Sequence, residues 1–124
     1  MRRQVEIFIS GAGVAGLTLA ILLADKGIKV GIADPVKALP LAKTPYGTRT
    51  AAIQNRFLPL LKQTEALDEI EDISAPLQAI RIIDPEGQNF REKLEAVFDA
   101  QEITNEKLSL NIPIQPLRAG LDNP

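Results

Sequence analysis

Residues Val5–Asp34 read VEIFISGAGVAGLTLAILLADKGIKVGIAD, and the order of patterns within them decides the fold. Val5, Ile7, Phe8 and Ile9 form an apolar, β-branched run that predicts a strand. Gly11-x-Gly13-x-x-Gly16 follows, and then an apolar helical pattern from about Val14 to Lys26 with Leu17, Ala20, Ile21 and Ala24 on one stripe. Gly27 is placed as the C′ residue of that helix, and a second apolar run closes on Asp34. Strand, glycine-rich turn, helix and strand make a β-α-β unit of the nucleotide-binding kind. Gly11 permits the tight turn off the strand, Gly13 lets backbone approach a pyrophosphate, and Gly16 lets helix and strand pack closely. The backbone of Gly11, Ala12, Gly13, Val14, Ala15 and Gly16 is the candidate phosphate cradle, because the first N–H groups of the helix are unpaired and lie at its positive end. Asp34 stands 18 residues beyond Gly16 and can accept hydrogen bonds from a ribose diol.

Ile7 to Ala24 is also an 18-residue stretch without a charge, preceded by Arg2 and Arg3. That is the lower limit of a membrane span and superficially like a signal peptide. Three glycines, Ser10 and Thr18 inside the run, the lack of an A-x-A cleavage pattern and the direct passage into another strand argue against both. The expectation is a cytoplasmic protein without a transmembrane segment, with peripheral membrane association left open.

At 124 residues the chain suits one domain with its own core. Net charge is −2, from 14 basic and 16 acidic residues that are interspersed, and aromatic residues are few, so no nucleic-acid partner is expected. Without cysteine or histidine the chain has no disulfide, thiol chemistry, His/Cys metal site or histidine general base. No D-x-D-x-D-G loop is present either, so neither metal nor catalytic residues are assigned.

Three regions are expected along residues 1–124: the β-α-β unit (1–34), a loop with helices (35–75), and a strand pair with a short C-terminal helix (76–124). Pro35, Pro40 and Pro45 space out a long loop. A second helix is predicted from near Thr48, with Ile53, Phe57, Leu60 and Leu61 on one face and Pro59 kinking it or splitting it in two. The acidic stretch Glu65 to Asp72 reads as a solvated helix end. Leu77 to Asp84 reads as a strand, Pro85 to Gln88 as a turn and Leu94 to Phe98 as a second strand, although 89–100 also tolerates a helix. A last helix is placed from near Pro116, with Leu117 and Leu121 at i and i+4.

The opening GAGVAGLTLAILLADKGIKVGIAD resembles the amino-terminal FAD-binding fingerprint of flavoprotein aromatic hydroxylases. TRTAAI (48–53) is similar to that family's arginine-containing segment. PLQAIRIIDPEG (76–87), FDAQEI (98–103) and NIPIQPLRAGL (111–121) resemble its ubiquinone-biosynthesis branch. The resemblance implies an FAD-dependent monooxygenase that uses NADPH or NADH and O2 to hydroxylate an aromatic or polyprenyl-phenol ring. It further implies FAD pyrophosphate at Gly11, Gly13 and Gly16, the adenosine ribose at Asp34, and Arg49 along the cofactor. Gln115 and Arg118 are the remaining cofactor-contact candidates.

Several departures accompany the resemblance. Gly47 stands where the family often has an aspartate, and Ile114, with Gln115 one position off, stands where it has a polar residue facing the flavin. The family's downstream phosphate-binding and Asp-Gly motifs do not occur. The expected fold is therefore an α/β, Rossmann-like FAD-binding β-α-β unit with parallel strands plus a partial β-hairpin, incomplete relative to the family and equivalent to its amino-terminal portion. The first strand would then lack a neighbour, and its unpaired apolar edge is expected to promote self-association. Two other readings stay open: a non-catalytic nucleotide-binding module, and an NAD(P)-dependent oxidoreductase half-domain.

Overall fold

A computed structural model of the chain describes residues 4–37, 39–40, 43–44, 47, 49–68, 70–83, 95–103 and 106–122. Strand β1 (Ile7–Ser10), helix α1 (Val14–Ala24) and strand β2 (Val30–Ala33) form the expected unit. The two strands pair in parallel, with Ile7 opposite Val30 and Ser10 opposite Ala33. A right-handed crossover through a helix is how adjacent parallel strands are joined. Regular helix ends at Ala24, and Asp25 and Lys26 turn the chain into Gly27. There the Gly27 N–H donates to Ala24 C=O at 2.8 Å and the Ile28 N–H to Leu23 C=O at 3.1 Å. This pair of bonds closes the orphan carbonyls of the last turn, as a glycine at C′ allows.

Residues 50–54 are a strand rather than the start of a helix. Strand β3 (Thr50–Gln54) pairs antiparallel with β7 (Ser109–Pro113), Thr50 opposite Pro113 and Gln54 opposite Ser109. Its exposure alternates, with Ala51 and Ile53 turned inward and Thr50, Ala52 and Gln54 outward. Pairing with a distant strand overrides the weak helical preference of TAAIQ. Helix α2 (Leu58–Gln63) starts only afterwards, and Pro59 lies in its first turn, where a missing N–H costs nothing, so no kink forms.

β7 is the centre of a three-stranded sheet in the order β3-β7-β4, where β4 spans Ala75–Leu77. The predicted strand from Leu77 breaks at Gln78, whose carbonyl accepts the Ala100 N–H at 2.8 Å, and continues as β5 (Ala79–Ile83). β5 pairs with β6 (Glu95–Asp99) as the expected hairpin, and α3 (Ala100–Ile103) follows it. Asp84, Leu94 and the predicted turn at 85–88 lie outside the described residues. Helix α4 (Ile114–Leu121) begins two residues earlier than Pro116, which sits in its first turn.

The core lies against the antiparallel sheet and not between the parallel strands. It joins Leu17 of α1, Leu61 of α2, Leu110 and Ile112 of β7, and Leu117 and Leu121 of α4. The acidic stretch is not a solvated helix end: among its described residues 66–68 and 70 are turns, Glu71 and Asp72 open a short 3-10 helix, and Leu67 and the wholly buried Ile70 enter the core. Of α1 only Leu17 is buried, and Ala24, expected on the buried stripe, is exposed. α1 reaches the core by packing on α4, and this contact brings the last helix beside the glycine turn.

Candidate functional site

The site is built where β1 ends. Gly11 has φ +105, a conformation that a side chain would strain, and its N–H donates to Ala33 C=O at 2.7 Å, tying the turn to the end of β2. Gly16 sits so close to this turn that a Cβ would stand 2.1 Å from the Gly11 carbonyl oxygen. Gly13 differs from both: its backbone is ordinary and extended, and a Cβ there would meet no atom within 4 Å. The space in front of Gly13 is thus open, with Gly13 and Ala15 exposed, and no side chain caps the α1 N-terminus. The first intrahelical bond runs from Leu17 N–H to Gly13 C=O at 2.9 Å, which leaves the earlier N–H groups of the turn to other partners.

Asp34 occupies the end of β2, half-buried. Its Oδ2 accepts the Ala12 N–H at 2.8 Å and its Oδ1 the Val36 N–H at 2.8 Å. Arg118 of α4 adds Nη2 at 3.2 Å from Oδ1, and the same nitrogen donates to the Val36 carbonyl. The Val36 and Ala12 N–H bonds outweigh the opposing effect of burial and, with a lesser contribution from Arg118, hold the Asp34 carboxyl below its ordinary pKa. The acid is ionised at neutral pH and fixed to the glycine loop.

Arg49 and Gln115 form a second grouping. The Arg49 carbonyl accepts the Ile114 N–H at 3.1 Å, so the residue caps the entry to α4 while its side chain is exposed. Gly47, two residues earlier, has φ +64 and lies beside the Gln115 side chain, 3.5 Å from where its Cβ would be. That backbone conformation accounts for glycine at this position. Arg49 precedes a strand and not a helix, contrary to the sequence expectation. Gln115 and Arg118, three positions apart on α4, share a helix face, and α4 joins this grouping to the loop and Asp34. The Arg118–Asp34 pair was not foreseeable from spacing, because no local pattern links residues that far apart.

Beside the loop, a groove of about 690 Å³ runs along α1, lined by Val14, Thr18, Leu19, Ile53, Phe57 and Leu60 among others. The face predicted for a single helix, Ile53 with Phe57, Leu60 and Leu61, lines this groove from β3 and α2 together. A smaller cleft of about 280 Å³ near Asn55, Lys62, Glu71 and Lys107 touches no residue of the loop. Among the described residues no cluster could hold a metal ion, and no helix is long and apolar enough to cross a membrane.

A glycine-rich turn between parallel strands, with a helix N-terminus and an acid on one side of it, is the local architecture of the Rossmann-like α/β fold class. The chain aligns over 98% of its length with a flavoprotein/dehydrogenase from Cytophaga hutchinsonii at a TM-score of 0.65 and 17% identity, covering 27% of that protein, which establishes the fold. In sequence it is 29% identical over 98 residues to the FAD-dependent monooxygenase terM of Tolypocladium album, spanning 79% of this chain and 20% of that one. It is 28% identical over 114 residues to kynurenine 3-monooxygenase of Christiangramia forsetii, spanning 87% of this chain and 25% of that one. The chain thus spans a fifth to a quarter of the length of these relatives. No protein-family model matches it.

Proposed function

We propose that this chain is the amino-terminal FAD-binding portion of a flavin-dependent monooxygenase that hydroxylates an aromatic ring. The observation that carries the reading is the glycine loop: open space before Gly13, an uncapped α1 N-terminus, and an ionised Asp34 bonded to the Ala12 N–H. These groups fit the ADP half of FAD, with Gly11 to Gly16 on the pyrophosphate and Asp34 on the adenosine ribose. Arg49 and Gln115 are the candidates for contacts further along the cofactor. FAD, when bound, supplies the redox chemistry, and the protein orients it and excludes water. Use of NAD(P)H and O2, a place in ubiquinone biosynthesis and a cytoplasmic location belong to the same reading. The first rests on the family resemblance, the second on the resemblance of 76–87, 98–103 and 111–121, and the third on the poor fit of 7–24 to a membrane span or signal peptide. No catalytic side chain is assigned.

A non-catalytic nucleotide-binding module is the second reading, favoured by the fact that the contacts assembled around the loop all suit the ADP half. An NAD(P)-dependent half-domain would use the same loop. The deciding measurement is titration of FAD by quenching of its fluorescence, with ADP as competitor. FAD should bind, ADP should displace it, and Gly13→Val should weaken both about tenfold or more, the factor set by roughly 1.4 kcal/mol. A folded Gly13→Val chain with unchanged affinity removes the pyrophosphate assignment. Preference for NADH over FAD favours the half-domain.

A further inference from the structure

Asp34 carries hydrogen bonds from its own strand end and from the glycine loop, yet its charged partner comes from a helix 84 positions later. A carboxylate has about four acceptor positions. At Asp34 the Val36 N–H and Arg118 Nη2 occupy Oδ1, and the Ala12 N–H takes one position on Oδ2. The remaining position lies on the oxygen that already faces the loop. Arg118 Nη2 also holds the Val36 carbonyl, so one nitrogen pins both the acid and the chain that leaves β2. Arg118 Nε is buried and has no hydrogen-bond partner among the described residues.

We infer that Arg118 is a positioning residue for nucleotide recognition, holding Asp34 through Oδ1 so that Oδ2 presents one acceptor to a ribose hydroxyl. Arg118 acts through Asp34 and not on the phosphates. The inference rests on the nucleotide-binding reading above. A guanidinium suits the task because its charge is permanent and Nη2 carries two N–H groups held in one plane, one for each acceptor, whereas an ammonium is a mobile point charge. Removing it leaves Asp34 with two neutral donors and frees its side chain to turn.

The test compares adenosine, which has no phosphate, with ADP, by NMR shift titration of wild type, Arg118→Ala, Arg118→Lys, Asp34→Ala and the double variant. Arg118→Ala should weaken both ligands by the same factor of about three to ten, less than the loss at Asp34→Ala. Arg118→Lys should recover part of that loss. In the Asp34→Ala background, Arg118→Ala should change nothing further, because the two residues act as one unit. Should Arg118→Ala fail to fold, Arg118→Lys carries the same comparison of adenosine with ADP. A loss confined to ADP, or additive losses in the double variant, overturns the positioning role alone. A wild-type chain that binds neither ligand overturns the nucleotide reading, and the positioning role with it.

Discussion

At the scale of single residues, Asp34 is held from three sides, by the Ala12 and Val36 N–H groups and by Arg118. The carboxylate is stabilised in its charged form by the Val36 and Ala12 N–H groups and by Arg118, so its folded pKa lies below that of the unfolded chain. By linkage, a depressed carboxyl pKa contributes stability that is fully present above the unfolded value, about 3.9, and is lost as pH falls through the lower folded value. Asp34→Asn should therefore melt below wild type at pH 6–7, and the gap should close as the pH is taken below about 4. Melting curves across that range check it, and a gap that persists unchanged into acid contradicts the assigned role of the charge. Asp34 was legible from sequence because strand, turn, helix and strand lie within 30 consecutive residues. Arg118 was legible only as a candidate, since its partner is set by how α4 packs on α1.

Among elements, the β-α-β unit separates two kinds of glycine that a motif treats alike. Gly16 is structural: a Cβ would stand 2.1 Å from the Gly11 carbonyl oxygen, and backbone on both sides cannot yield cheaply. Gly13 is open and has ordinary extended backbone. Gly16→Ala should lower the melting temperature, on the scale of the roughly 1–3 kcal/mol that overpacking costs. Gly13→Ala should leave it in place and act on ligand affinity alone. Thermal melts of the two variants side by side check this, and equal destabilisation would contradict the distinction. β3 teaches the opposite lesson. TRTAAIQNRF carries an apolar spacing compatible with a helix, and Ile53, Phe57, Leu60 and Leu61 do share one groove. They reach it from a strand and a helix because β7 offers 50–54 a hydrogen-bonding edge that local propensity does not register.

For the molecule as a whole, the apolar surface is large where the parallel pair stands. β1 pairs only with β2 among the described strands, and Phe8 is 65% exposed, with Val5, Ile7, Leu19 and Ile32 also open. An apolar sheet edge and a helix apolar on every side both favour association. The isolated chain should migrate as a dimer or larger species in light scattering, and Phe8→Lys should shift it toward monomer. A monodisperse wild-type monomer contradicts the expectation. The sequence by itself determined the β-α-β unit, its glycine loop and Asp34, because each depends on residues adjacent in the chain and on backbone geometry that only certain residue types accept. It offered the β5–β6 pairing as one of two readings, since 89–100 also tolerates a helix, and the antiparallel pairing of 79–83 with 95–99 decides for the strand. Only the tertiary structure decided that β7 is a central strand, that Leu67 and Ile70 enter the core, and that α4 carries Arg118 to Asp34. Those outcomes depend on which distant surfaces bury one another, and burial of Ile70, Ile112 and Leu117 outweighs any preference readable within a single segment.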